Sequence, residues 1–229
     1  TLDGTTDVSG TIGTDVVNLT VETGALTAGT IDITGNLDAD QNVETDTGAI
    51  LVDGTADTEG TLIGETGVDI GGTSDLGGDV TAQANNVTLG GNVTLTADSV
   101  ITAAGTIGVT GSVDGAFDLT LAGTGGSDVS NTVGTTIVDL TVNDGALVAG
   151  VIDIDGNLSA SQNVSSDTGA ISVAGTATTT GGADITGATG VSVSGTSSLN
   201  GDVTATANNV TLGGNVTLTA DSVITAAGT

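Results

Sequence analysis

Five aspartates are the residues in this sequence best spaced to act together. Asp79, Asp98 and Asp118 lie 19 and 20 residues apart, and Asp202 and Asp221 repeat the 19-residue step. Stacked on successive coils about 4.8 Å apart, they would form a column of like charges. Ca²⁺ gathers carboxylate and carbonyl oxygens, so a bridging ion would convert that repulsion into cross-linking. The other reading is a solvated column of turns with diffuse counterions. A calcium-roll nonapeptide motif is absent from the sequence. Asp7, Asp32, Asp46, Asp79 and Asp98 recur as Asp128, Asp153, Asp167, Asp202 and Asp221, and these retained acids are the better candidates for an ion role. Asp38, Asp40 and Glu44 instead become Ser159, Ser161 and Ser165, which points to solvent-facing positions.

Little other chemistry is available. The 229 residues include no Lys, Arg, His, Cys, Tyr, Trp, Met or Pro, against 28 acids and a single aromatic, Phe117. Without those groups most nucleophile–base pairs and oxyanion clamps cannot be built, so no enzyme is expected and only a carboxylate pair remains for hydrolysis. Phosphate-neutralising cations are absent, which excludes nucleic acid as a partner. Anionic lipid is excluded on the same ground, and no apolar run is long enough to span a membrane. Phe117 reads as a core or cap residue. The Asn-x-Ser/Thr sites, such as Asn86 and Asn209, follow from a Thr-rich composition.

The acids must be positioned by a repeating fold. Residues 68–86 align with 87–105 at an offset of 19: Val68 on Val87, Ile70 on Leu89, Gly71-Gly72 on Gly90-Gly91 and Asp79 on Asp98. Short β-branched runs alternate apolar with polar residues, the period of a strand with one buried face. Gly, Asn, Asp, Ser and Thr fill the gaps and suit turns. The reading is an all-β parallel β-solenoid of about 12 coils of about 19 residues, right-handed, giving a rod of roughly 57 Å. Anchors such as VNLTV (17–21), IDI (31–33), VDI (68–70), VTL (87–89) and IGV (107–109) recur mostly at steps of 18–20 residues, and the shorter step of 14 before IDI marks a second strand of the same coil. Asn85-Asn86 and Asn208-Asn209 precede VTL strands, either as side-chain ladders or, preferred, as left-handed turns.

A larger repeat overlies the coil. Residues 16–54 align with 137–175 at an offset of 121, and 68–106 with 191–229 at 123, after a two-residue insertion near Gly181-Gly182. The chain therefore divides into a first unit, 1–121, and an incomplete second unit, 122–229, each read as roughly six coils. Both ends fall partway through a unit, so a slice of a longer tandem array is expected.

The text VTLGGNVTLTADSVITAAGTIGVTGSVDGAFDLTLAG (87–123) resembles the repeats of very large bacterial surface proteins, the β-strand-repeat proteins related in style to filamentous haemagglutinins. The resemblance implies a secreted β-helix located at the cell surface or outside the cell, acting as fibre, coat or adhesin. The expected role is a non-catalytic shaft or coat segment that associates with itself into filaments, bundles or a layer. The alternative is an adhesin stalk that binds carbohydrate or another cell. No cofactor is expected other than Ca²⁺ on the aspartate column.

Overall fold

In the computed structural model, which describes residues 1–228, every regular element is a β-strand, and every strand pairing is parallel. Each coil contributes three short strands, and these stack into three ladders. Ladder A runs from Leu2 through Leu19, Leu37, Ala56 and Ser74 to Val210. Ladder B runs from Thr6 through Leu26, Val43, Leu62 and Val80 to Val216. Ladder C runs from Ile12 through Ile31, Ile50, Val68 and Val87 to Ile224. Four of the 32 strands, Thr6–Ile12, Leu26–Ile33, Ser127–Gly134 and Leu147–Ile154, run through a corner and serve two ladders, which makes twelve rungs on each. The expected solenoid of about twelve coils is thus present, with coils of 17 to 21 residues.

Most strands are three residues long with an in–out–in burial pattern, as in Leu37–Ala39, Val87–Leu89 and Leu158–Ala160. Two inward side chains per strand, from three strands, meet at the axis. The core is therefore narrow, and Val, Ile, Leu and Ala fill it by stacking on their like in the next coil, as Val68 on Val87 and Ile70 on Leu89. The buried hydrophobic residues are all Val, Ile, Leu or Ala, in keeping with the aromatic-poor composition. Phe117 is only partly buried, packed against the core from the irregular coil.

The register makes two expectations more exact. First, a coil holds three strands, more than the one or two that the anchors mark, and the anchors do not share a ladder. IDI (31–33), VDI (68–70) and IGV (107–109) lie on ladder C, whereas the second-unit equivalents of the first two, Ile152–Ile154 and Val191–Val193, lie on ladder A. Second, the large unit, read as roughly six coils, is not a whole number of them. Leu37 on ladder A is equivalent to Leu158 on ladder B, and Leu26 on B to Leu147 on C. The unit is six coils and one further strand, or six and one third coils. It advances about 30 Å along the rod and re-emerges one third of a turn round. The two-residue insertion is absorbed by a turn in which Gly181 and Gly182 take φ of 64° and 84°, so the ladders continue beyond it.

Among the described residues eight polar side chains are buried in the core, and three of them, Ser74, Ser127 and Ser197, have a hydroxyl with no hydrogen-bond partner. Ser74 stacks between Ala56 and Val93. An unmatched buried hydroxyl costs on the order of 1 kcal/mol or more. Replacing Ser74 and Ser197 by Ala is expected to raise stability by about 1 kcal/mol each, read as an increased urea midpoint at unchanged slope.

Candidate functional site at the corner columns

The candidate residues sit at the corners of the coil, immediately before the strands. At a corner the N–H of the entering residue has no backbone carbonyl in line with it. An Asn or Asp side chain of the preceding coil supplies the acceptor instead. Asn36 N–H donates to Asn18 Oδ1 at 2.8 Å, and Thr55 N–H to Asn36 Oδ1 at 3.0 Å, at the corner into ladder A. At the corner into ladder B, Asp118 N–H donates to Asp98 Oδ1 at 3.0 Å, Asp139 N–H to Asp118 Oδ1 at 3.2 Å, and Asn157 N–H to Asp139 Oδ1 at 2.6 Å. At the corner into ladder C, Thr106 N–H donates to Asn86 Oδ1 at 2.9 Å, and Asp202 N–H to Asp184 Oδ1 at 2.8 Å.

The predicted aspartate column is only partly assembled. Asp98 and Asp118 are consecutive in one column, which Asp139 extends. Asp79 is not beneath Asp98. Val80 pairs with Ile101, so the Asp79 carboxylate accepts the N–H of Val100 at 2.9 Å, two residues past Asp98. The second unit repeats this offset, with Asp202 accepting from Val223 at 2.8 Å rather than stacking under Asp221. Among the described residues no group of three or more acids is gathered closely enough to hold a metal ion. The corner bond gives the retention of Asp79 and Asp98 as Asp202 and Asp221 a simpler cause, since an acceptor oxygen is needed there. Asn and Asp therefore exchange freely: Asn18 becomes Asp139 at the equivalent corner.

None of Asn85, Asn86, Asn208 and Asn209 takes the left-handed conformation expected of them, and the Asn86 oxygen instead accepts an N–H of the next coil. The only non-glycine residues with positive φ among those described are Thr135 and Asp144. Sequence reasoning missed the companion residue. A glycine precedes the donor at most corners, and at Gly35 and Gly156 a Cβ would meet both a carbonyl and the Asx oxygen, Asn18 Oδ1 and Asp139 Oδ1 respectively. A glycine followed by Asn, Asp, Thr or Ser just before each apolar run was the signal available in the sequence.

Two carboxylates have displaced titrations. Asp38, Asp57 and Asp75 point outward in register on three consecutive rungs of ladder A. Partial burial, then the charges of Asp75, Asp38 and Asp40, hold Asp57 above the usual carboxylate range. Burial also pushes the Asp114 carboxyl up, but it accepts hydrogen bonds from the Thr136 hydroxyl at 2.9 Å, the Gly115 N–H at 3.0 Å, the Thr135 hydroxyl at 2.9 Å and the Thr136 N–H at 3.0 Å, and the net displacement is downward. A surface cleft of about 660 Å³ lies across ladder C between coils, floored by Gly108 and Gly125 and edged by Asp128, Asp144 and Gln162. It contains no nucleophile–base pair.

No protein-family model matches the chain, and neither a curated protein nor a solved structure shows significant similarity to it. The architecture is compatible with β-helix repeat proteins.

Gly156→Ala is expected to cost about 1–3 kcal/mol through crowding of the Asp139 corner, whereas Asp139→Asn keeps the acceptor and stays within about 0.5 kcal/mol; chemical denaturation distinguishes them. For Asp57 the folded state binds its proton more tightly than the unfolded chain, so its contribution is fully present in acid and is lost as pH rises through the raised value. Asp57→Asn should therefore increase the melting temperature at pH 7 and remove part of the gain seen on mild acidification. Asp114 has the opposite sign: its contribution is present at neutral pH and lost as pH falls through the depressed value, so Asp114→Asn should lower the melting temperature at pH 7.

Proposed function

We propose that this chain is a non-catalytic structural segment, a shaft or coat element of a large secreted bacterial surface protein of the filamentous-haemagglutinin style. The observation that carries this reading is uniformity: a three-strand coil continues through twelve rungs of each ladder. A rod built from nearest-neighbour coils extends without limit and gains stability with each coil. The composition supports a place outside the cell, because a chain without Lys or Arg offers trypsin-like proteases no site. A net charge of −28 keeps rods apart until cations or acid screen it. Self-association then follows ionic conditions, and Ca²⁺ acts here as a screening counterion shared among exposed carboxylates.

The adhesin-stalk reading is favoured by one feature, the cleft at Asp128, Asp144 and Gln162, which interrupts the regular surface and offers carboxylates and an amide to sugar hydroxyls.

Electron cryo-tomography of the source cells with an antibody to this repeat separates the two. A continuous sheath or bundle with an axial spacing near ~30 Å is expected for the structural segment. Sparse label on spikes that touch other cells, together with glycan-array binding lost in Asp144→Ala, would replace it with the stalk.

A further inference from the structure

The large unit is out of step with the coil by one strand, and this decides where equivalent surface lies. The corner at Val17 leads into ladder A and its equivalent at Val138 leads into ladder B. Both valines are exposed, at 61% and 42%. The other large apolar residue exposed away from the last coil is Val100, and it too recurs, as Val223. Exposed apolar side chains thus sit at repeated positions, and each repetition is about 30 Å further along and one third of a turn round.

The charge does not repeat in the same way. Nineteen of the 28 acids lie in residues 1–121 and nine in 122–229. The contrast is sharpest between residues 37–76, with ten acids, and their equivalents 158–199, with two. Asp38, Asp57 and Asp75, outward and in register on ladder A, become Ser159, Thr178 and Ser198, outward and in register on ladder B. The rod therefore carries an acid-rich band and a hydroxyl-rich, acid-poor band one large unit apart.

We propose that the partner of this surface is a second copy of the chain, lying alongside and staggered by one large unit, so that the acid-rich band of one rod faces the acid-poor band of the next. The inference rests on the structural reading above and specifies how such rods pack. A neighbour seated on the Val17 corner and another on the Val138 corner approach from directions a third of a turn apart. A second copy carries the same axial step as the surface it meets, and its acid-poor band is the least repulsive surface the molecule itself offers to the acid-rich one. Contacts that rotate in this way extend an assembly in both directions across the rod axis, giving a bundle. A unit of six whole coils would place every contact on one side and give a ribbon.

The test uses this chain with Mg²⁺ as the screening cation, followed by light scattering and electron microscopy. Bundles several rods thick in both transverse directions are expected, with neighbours offset by one large unit. The triple variant Ser159→Asp, Thr178→Asp and Ser198→Asp installs what the equivalent positions 38, 57 and 75 already carry, so it remains compatible with the fold. It should raise the Mg²⁺ concentration needed for assembly several-fold, and Val138→Ser should do so as well. Ribbons one rod thick would overturn the rotated contacts while leaving the structural role intact. An unchanged Mg²⁺ threshold in the triple variant would overturn the stagger. Rods that stay single at every Mg²⁺ concentration would overturn this inference and the structural reading together.

Discussion

Each coil must pass its backbone hydrogen bonds to the next at a fixed axial spacing, and the rest of the molecule answers to that requirement. Parallel pairing along the axis satisfies the strands, because the N–H and C=O groups of one rung point at those of its neighbours. The corners are where it would fail, since the chain changes direction there and carbonyls no longer face amides. Buried or bridging backbone donors are rarely left unmatched. The Asx oxygens at Asn18, Asn86, Asp98 and Asp139 fill that gap, and the glycines at Gly35 and Gly156 leave room for them to do so. The corner is thus a side chain standing in for a carbonyl, and it is the element that lets a three-strand coil close.

The same axial spacing governs the composition. A side chain in the core has its equivalent directly above and below, so a residue that fits once must fit beside its own kind. Branched aliphatics do this well, as the stacks Val68–Val87 and Ile70–Leu89–Val109 illustrate. Outside, stacking places like charges in rows, and Asp57 between Asp38 and Asp75 bears the electrostatic penalty. The second unit has lost most of these rows to Ser and Thr without disturbing the ladders, because the outward residue of an in–out–in strand makes no contribution to the core.

Fold class, coil length and coil number were legible in the sequence because stacking writes the same pattern every 19 residues or so, and alternation within a strand survives even at three residues. The three-strand coil was not legible. With one outward residue per strand, two of the three strands in each coil look like turn sequence, and the eye settles on the most apolar one, for example Val68–Ile70 over Ser74–Leu76 and Val80–Ala82. The aspartate column was half legible. Spacing in sequence matches spacing in space only where the coil has constant length, and the widened strands Ser99–Ala103 and Leu119–Gly123 break that equivalence between Asp79 and Asp98. The role of Asn86 was not legible, because Asn in a turn equally suits positive φ, whereas its use here is the amide oxygen.

The extra strand in each large unit also ties length to direction. Adding or losing one whole unit, as unequal exchange between repeats does, changes reach by about 30 Å and moves everything beyond it round by one face of the coil. Only exchanges in multiples of three units, nineteen coils, restore the original bearing. Exchange of a whole number of coils instead keeps the bearing but breaks the order of faces within the unit. A gene built this way records its recombination history as an angle.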